Sequence, residues 1–245
     1  MRTTRIYVEL ELAAGAEVLL PPAASTHLLR VLRLRPGAAL TLFNGRGGEY
    51  AAELAAGTGR SAARVLVGAQ TAVERESPLH ITLLQGVARG ERMDFIVQKA
   101  TELGVQRIVP LSCEFSVVRL DAAALRRRVE HWRAVAIAAC EQCGRNRLPQ
   151  VDTITELEAA CGGGTDELKL VLVPQAPATL SMLAQGSRPV MLLVGPEGGL
   201  SGREQLLAHR HGFQACRLGP RILRTETAPL AALAALQALA GDLAT

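Results

Sequence analysis

Two glycine-containing loops near the end of the chain constrain its fold more than any other feature. The stretch 190–236 begins with the apolar run VMLLV, which is typical of a buried strand, and continues directly into GPEGG. A second short strand precedes LGPRILRTET, and an Ala- and Leu-rich helix follows it. In open α/β sheets, ligands bind beyond the carboxyl ends of the strands, and glycines there allow close approach of the backbone. The stretch therefore predicts a backbone cradle for a small ligand.

The pattern of the chain changes near residue 73. Residues 1–72 contain short alternating strands separated by glycine turns, which predicts a compact β-rich unit. The charged segment VERESP, residues 73–78, is typical of a linker. From residue 79 apolar strands alternate with helices, which favours an α/β fold with a largely parallel sheet and helices on both faces. We therefore predict a β-rich domain over 1–72, a linker over 73–78 and an α/β domain over 79–245.

Most of the excess positive charge lies in the first of these parts. Residues 1–72 contain eight Arg and five Glu, a net charge of +3, whereas the whole chain carries +4. The planar guanidinium group is suited to phosphate and to base edges, so these arginines predict an RNA-facing patch. The alternative is that they form the solvated face of a small barrel. The arginines of the predicted patch are Arg2, Arg5, Arg30, Arg33, Arg35 and Arg46.

Several other classes of protein are disfavoured. No run reaches the ~18 apolar residues of a membrane span, and the first residues lack the apolar core of a signal peptide, so we expect a cytoplasmic protein with no membrane partner. Neither glycine loop is a dinucleotide-binding GxGxxG or a GxxxxGK[ST] phosphate loop, and GxSxG is absent. Cys140 and Cys143 form a single CxxC inside a helical pattern, which favours buried thiols over a zinc or redox site. We expect no metal.

The motifs resemble those of one family along essentially the whole chain and in the same order. GPEGGLSGRE (195–204) and LGPRILRTETAPLAALAALQ (218–237) are similar to the signature of the bacterial small-subunit rRNA uridine-N3 methyltransferases, which belong to the SPOUT class of knotted methyltransferases. The other matching motifs are HLLRVLR (27–33), FNGRGGEY (43–50), MDFIVQKATELGV (93–105) and EQCGRNRLPQV (141–151).

The resemblance implies a fold, a cofactor and partners. The first domain would be a PUA-like β-barrel that helps bind rRNA, and the second would contain a C-terminal trefoil knot, an exception to the rule that chains do not knot. The protein would use S-adenosylmethionine to methylate N3 of a specific uridine in 16S rRNA, free or within the small ribosomal subunit. It would act as a homodimer in which the partner subunit completes each active site.

The resemblance also assigns the cofactor to three loops of the knot, 172–174, 194–199 and 218–225. These loops would hold S-adenosylmethionine largely through main-chain groups, with apolar side chains around the adenine. The residues expected to bind it are Leu172, Pro174, Leu193, Val194, Gly195, Gly198, Gly199, Leu218, Gly219, Ile222, Leu223 and Thr225.

Methylation at N3 requires the imide N–H of uracil to lose its proton, so the site needs a base, or donors aimed at the developing negative charge. We expect Arg224 to be the donor. Glu226 and Glu197 are the alternative bases, but Glu226 could instead favour the dipole of the last helix, and Glu197 could only brace its loop. Arg145 is a candidate for RNA binding or for the dimer interface, with a structural salt bridge as the alternative.

Two positions depart from the family pattern. Cys143 stands where the family usually has serine, and Phe115 stands where it often has a basic residue. Two other functions remain as alternatives: a SPOUT methyltransferase with a different RNA target, and a non-catalytic RNA-binding factor for ribosome assembly. The complete glycine loops and the intact LRTETA favour an enzyme.

Overall fold

The computed structural model describes most of the chain, namely residues 3–56, 62–116, 121–162, 166–184, 186 and 188–244. The chain divides into two compact units. The first consists of Met1–Glu76 and Cys140–Leu148, and the second of Ser77–Ala139 and Pro149–Thr245. The first division therefore falls between Glu76 and Ser77, inside the charged segment 73–78.

The first unit is built on a five-stranded sheet with the order β1-β3-β4-β5-β2. Its strands are β1 (Thr4–Tyr7), β2 (Glu17–Leu19), β3 (Ala39–Phe43), β4 (Glu49–Leu54) and β5 (Arg64–Thr71). Only β1 and β3 pair in parallel, and the other pairs are antiparallel. A short helix α1 (Pro22–Thr26) continues into a π-helical turn (His27–Val31), whose Leu28 is fully buried in the core of this unit. The β-rich character predicted for the first part of the chain is confirmed.

The second unit contains a seven-stranded sheet in which every pair is parallel. Its strands are β6 (Ile81–Gly86), β7 (Arg107–Ser112), β8 (Gln150–Val151), β9 (Thr155–Glu156), β10 (Leu168–Leu172), β11 (Val190–Val194) and β12 (Gln214–Cys216). The order is β12-β10-β11-β6-β7-β8, and β9 also pairs with β7. The predicted α/β fold with a mostly parallel sheet is confirmed.

Helices cover both faces of this sheet. They are α2 (Glu91–Glu102), α3 (Ala122–Cys143), α4 (Leu157–Ala160), α5 (Leu180–Leu183), α6 (Gly202–Arg210) and α7 (Thr227–Ala240), followed by a 3-10 turn (Asp242–Ala244). Successive strand residues point to opposite faces, so Leu83 and Leu192 pack in one core while Leu84 and Leu193 pack in another. In the described residues, no helix is both long and apolar enough to cross a membrane.

Strand β11 positions the site because it lies between β10 and β6 and is buried along its whole length. The loop after β11 passes directly over the end of β6. A β-carbon on Gly86 would lie 2.5 Å from the ring of Pro196, so only glycine allows this approach. Apolar strands and one glycine contact therefore bring the first glycine loop to the carboxyl edge of the sheet.

Candidate active site

A cavity of about 670 Å³ lies at the carboxyl ends of β10, β11 and β12. Its volume is in the range typical of small-molecule sites. Its wall is formed mainly by residues 172–175, 194–200 and 216–226, which include the three loops expected to bind the cofactor. Of the expected cofactor residues, only Leu193 does not line the cavity, because its side chain is fully buried in the core on one face of the sheet.

Glycines give the cavity wall its shape. A β-carbon on Gly195 would lie 2.8 Å from the backbone of Gly199, which is closer than real β-carbons approach. Gly199 has φ +73° and donates its N–H to the carbonyl of Pro196 at 2.8 Å. Because glycines have no side chains, the wall presents main chain at these positions, and the binding of a ligand by this main chain stays a prediction.

A buried polar network ties the two glycine loops together. The Thr225 hydroxyl donates to the carbonyl of Gly195 at 2.9 Å, and Gln85 Nε2 lies 3.3 Å from the same hydroxyl. Gln85 Nε2 also donates to the carbonyl of Gly86 at 2.9 Å. Thr225 thus contacts the opposite loop through its side chain. Gln85 was not predicted from sequence, although a glutamine inside the apolar run HITLLQGVA is an unusual residue for a buried strand.

Arg92 lies near both Glu197 and Glu226, the two carboxylates predicted from the sequence as candidate bases. Its Nη1 donates to Glu197 Oε1 at 2.8 Å, and its Nε lies 3.8 Å from Glu226 Oε2. All three residues line the cavity. Arg92 directly precedes the motif MDFIVQKATELGV, but its sequence context carries no sign that it reaches the glycine loops.

The two carboxylates differ in how well they are satisfied. Glu197 Oε1 also accepts the backbone N–H of Arg89 at 2.9 Å. Burial alone would raise the pKa of Glu197, but hydrogen bonds from the backbone N–H groups of Arg89 and Glu197 and from Arg92 hold that pKa below its ordinary value. Glu226 Oε2 is buried and has no hydrogen-bond partner among the described residues. Glu197 therefore already accepts several hydrogen bonds, whereas Glu226 has an oxygen that accepts none from the described residues.

Two arginines of the second glycine loop face the cavity from its exposed side. Arg221 and Arg224 both line it and are both exposed. Neither guanidinium forms an ion pair or hydrogen bond that the structure records with the described residues, unlike Arg217, which donates to the carbonyl of Ala176 at 2.5 Å. The site thus holds two cationic donors that can face an anion.

Comparison with known proteins identifies the family. A model of the RNA methyltransferase domain matches residues 75–237, and a model of the RNA methyltransferase PUA domain matches residues 20–66. The ribosomal RNA small subunit methyltransferase E of Buchnera aphidicola subsp. Schizaphis graminum is 34% identical over 99% of this chain and 98% of its own. That of Bacillus subtilis is 33% identical over 86% of this chain and 85% of its own.

The chain belongs to the ribosomal RNA small subunit methyltransferase E family.

Solved structures of similar proteins agree with this assignment. The ribosomal RNA small subunit methyltransferase E of Neisseria gonorrhoeae, bound to S-adenosyl methionine, is 40% identical with a TM-score of 0.95, covering 99% of this chain and 100% of its own. A methyltransferase of Legionella pneumophila in complex with the same cofactor has the same identity, TM-score and coverage. The predicted family and enzyme class are confirmed.

The predicted RNA-binding arginines of this methyltransferase have different surroundings. Arg30, Arg33 and Arg35 are exposed in or just after the π-helical turn, and Arg33 has a left-handed φ of +51°. Arg46 is exposed and pairs with Glu11. Arg2 lies outside the described residues.

Arg5 lies inside the first unit. Its guanidinium pairs with Glu49, donates to Asn146 Oδ1 at 2.6 Å and stacks over Phe43 at 4.8 Å from the ring centre. Because the side chain is almost fully buried, its charge is used within the fold of this unit.

Arg145 is also inside the first unit and is only 3% exposed. Its guanidinium holds the Glu76 carboxylate with Nε at 3.1 Å from Oε1 and Nη2 at 2.5 Å from Oε2. Of the roles that the sequence left open for this residue, the structure contains the salt bridge.

The cysteines are placed in the interior, as expected of structural thiols. Four of the five are buried, and Cys143 is half-buried. A hydrogen bond with Cys143, followed by burial, raises the pKa of Cys140 far above its ordinary value, so this thiol is not activated. Among the residues that the structure describes, no three His, Cys, Asp or Glu side chains are grouped to hold a metal ion.

Proposed function

We propose that this protein transfers a methyl group from S-adenosylmethionine to N3 of a specific uridine in 16S rRNA, as part of small-subunit maturation. The observation that carries the proposal is the cavity itself. It is lined by two glycine loops, by the carboxylate residues Glu197 and Glu226, and by the exposed Arg221 and Arg224.

The residues present fit S-adenosylmethionine. Close contacts around Gly195 and the backbone of Gly199 leave main-chain groups facing the cavity, and Leu172, Val194 and Leu218 provide apolar surface for the adenine. When bound, the cofactor supplies an electrophilic methyl group on a positively charged sulfur. The carboxylates at the rim are compatible with such a cation.

Side chains of the protein would accept the N3 proton of the uracil and stabilise the negative charge that its loss creates. We assign the base to Glu226, which lines the cavity and whose Oε2 has no hydrogen-bond partner among the described residues. Glu197 instead braces its loop, since three donors already occupy it and keep its pKa low. Arg224 would donate to the uracil oxygens, where negative charge develops as N3 loses its proton.

Binding of rRNA and dimerisation complete the proposal. The β-rich domain (1–72), joined by the linker (73–78) to the knotted α/β domain (79–245), would bind rRNA through the exposed Arg30, Arg33 and Arg46. A homodimer is supported by Ile222, an apolar residue of the cavity that is 77% exposed in the single chain. A second copy would cover it and complete the site.

Two measurements test the function. Calorimetry should show binding of S-adenosylmethionine to the full-length protein, and undetectable binding would reject a methyltransferase role. Small-subunit rRNA from a strain that lacks the protein should lose one N3-methyluridine, and the wild-type protein should restore it in vitro. If every N3-methyluridine persisted in that strain while the protein still bound the cofactor, the enzyme would act on another RNA.

A further inference from the structure

Exposed aromatic side chains are rare in this protein. The sequence contains seven aromatic residues, and of these only Phe115, at 47%, and Phe95, at 45%, are exposed. Tyr7 is half-buried, and the remaining four lie in the cores. An exposed phenylalanine forgoes the stabilisation that its burial would provide, so its position is informative.

Phe115 is held in place by a turn that follows β7. Ser116 donates its N–H to the carbonyl of Cys113 at 2.9 Å, and the Ser116 hydroxyl accepts the N–H of Cys113 at 3.2 Å. The N–H of Glu114 donates to Glu204 Oε1 at 3.0 Å. Glu204 also closes the capping box of α6 with Ser201. The turn is thus fastened to the helix that follows the first glycine loop.

The ring of Phe115 lies against that loop. A β-carbon on Gly198 would lie 2.7 Å from Cβ of Phe115 and 3.4 Å from Cγ of its ring, so the two residues are in direct contact. Gly198 lines the cavity between Glu197 and Gly199. Phe115 therefore contacts a residue of the cavity wall without lining the cavity itself, and the same wall carries the exposed Arg221 and Arg224.

We propose that Phe115 is a substrate-binding residue that stacks on the target uracil. The inference rests on the proposed function, because N3 can reach the methyl group only after the base has left its stack in the RNA. Proteins that bind unstacked RNA bases commonly replace the lost stacking with an aromatic side chain. A phenylalanine beside Gly198 is placed to do this, while the two arginines supply positive charge to the same RNA segment.

The test compares Phe115→Ala with Phe95→Ala, a matched change of a similarly exposed phenylalanine on α2. Neither residue lines the cavity, but Phe115 contacts Gly198 of the cavity wall. Phe115→Trp and Phe115→Leu distinguish an aromatic face from any apolar contact. Small ribosomal subunits from a strain that lacks the protein serve as substrate. Their KM and Kd, the affinity for S-adenosylmethionine and the oligomeric state are measured for each variant.

We expect Phe115→Ala to weaken the binding of the subunits, and to raise their KM, by about 5- to 150-fold, the usual range for loss of one stacked base. Phe115→Trp should stay near wild type, Phe115→Leu should resemble Phe115→Ala, and Phe95→Ala should change neither constant. The affinity for S-adenosylmethionine should remain unchanged throughout.

Other outcomes overturn the proposal. Unchanged binding of subunits by Phe115→Ala, an equal loss in Phe95→Ala, or full recovery by Phe115→Leu would exclude stacking. A change confined to cofactor affinity or to the oligomeric state would make Phe115 a packing or dimer residue. If the wild-type protein bound the subunits but methylated none, the proposed function would fail, while the binding constants would still decide the role of Phe115.

Discussion

Each unit contains a cluster of arginine and glutamate side chains. The two clusters differ in how many of their charged atoms have hydrogen-bond partners. In the first unit, Arg145 holds Glu76 through two nitrogens and is 3% exposed. In the second, Arg92 is exposed, bonds Glu197 at 2.8 Å and stops 3.8 Å short of Glu226. The first cluster is closed, and the second is open toward a cavity.

This difference in hydrogen bonding distinguishes an ion pair that stabilises the fold from one whose carboxylate could take part in catalysis. A buried charge is tolerated only when its hydrogen bonds are made, so Arg145 and Glu76 are committed to each other. A buried carboxylate oxygen without a hydrogen-bond donor among the described residues, such as Glu226 Oε2, costs stability, and we propose that at Glu226 this cost serves the chemistry of the site. Four predictions test this contrast, from the largest expected effect to the smallest.

Glu226→Gln should lower the rate of methyl transfer by about 10²–10⁴-fold, because the amide cannot accept the N3 proton. Binding of S-adenosylmethionine should be nearly unaffected. Single-turnover transfer to small ribosomal subunits measures the rate, and Glu197→Gln, which changes the saturated carboxylate, should cause a much smaller loss. Equal losses in both variants would show that the two carboxylates have the same role.

Arg145→Ala should lower the free energy of unfolding by about 3 kcal/mol, because the Glu76 side chain is only 17% exposed and would keep its charge without this partner. Denaturant-induced unfolding measures this change. Arg46→Ala is the control, since its pair with Glu11 is solvent-exposed and should contribute less than ~1 kcal/mol. A stable Arg145→Ala protein with weakened rRNA binding would instead make Arg145 an RNA contact.

Arg224→Ala should lower turnover by ~10²-fold or more while leaving the affinity for S-adenosylmethionine mostly intact, as for other preorganised donors to a developing negative charge. Arg221→Ala, the neighbouring exposed arginine, should lower turnover less. Calorimetry and turnover are measured on the same preparations. Parallel losses of cofactor affinity and turnover would make Arg224 a cofactor ligand.

The smallest effect concerns pH and another carboxylate of the first unit, Glu49, which pairs with Arg5 and Arg75. Burial would raise the pKa of Glu49, but hydrogen bonds and charges of Arg75 and Arg5 outweigh it and hold this pKa below its ordinary value of 4.5. The unfolded chain therefore binds this proton more tightly than the folded one. The contribution of Glu49 to stability is complete above pH 4.5 and is lost as the pH falls through the lowered pKa.

Unfolding curves of wild type and Glu49→Gln between pH 6 and about pH 3 check this contribution, because the difference between the two proteins should shrink as the pH falls. A constant difference over this range would mean that the charge of Glu49 does not stabilise the unit.

Local patterns in the sequence predicted the parts of the site that depend on the backbone. VMLLV followed by GPEGG predicted a buried strand with a loop at its carboxyl end, and the loop lines the cavity in the structure. The second loop, Leu218–Thr225, lines it as well. Glycines and apolar runs are recognisable from short stretches because their conformational freedom and their burial follow from the residues themselves.

The roles of charged and aromatic side chains depended on segments that are distant in sequence. The sequence treated Glu197 and Glu226 alike, whereas in the structure Glu197 accepts hydrogen bonds from the Arg89 N–H and from Arg92, and Glu226 Oε2 accepts none from the described part of the chain. It grouped Arg5 with the exposed arginines, whereas the return of residues 140–148 to the first unit buries it beside Asn146.

Phe115 shows the same limit, because its contact with Gly198 joins the turn after β7 to the loop after β11. The sequence by itself determined the fold class, the family and the two glycine loops that line the cavity. Tertiary structure alone decided which charges are satisfied and which groups face the cavity, since burial and ion pairing are set by packing between distant segments.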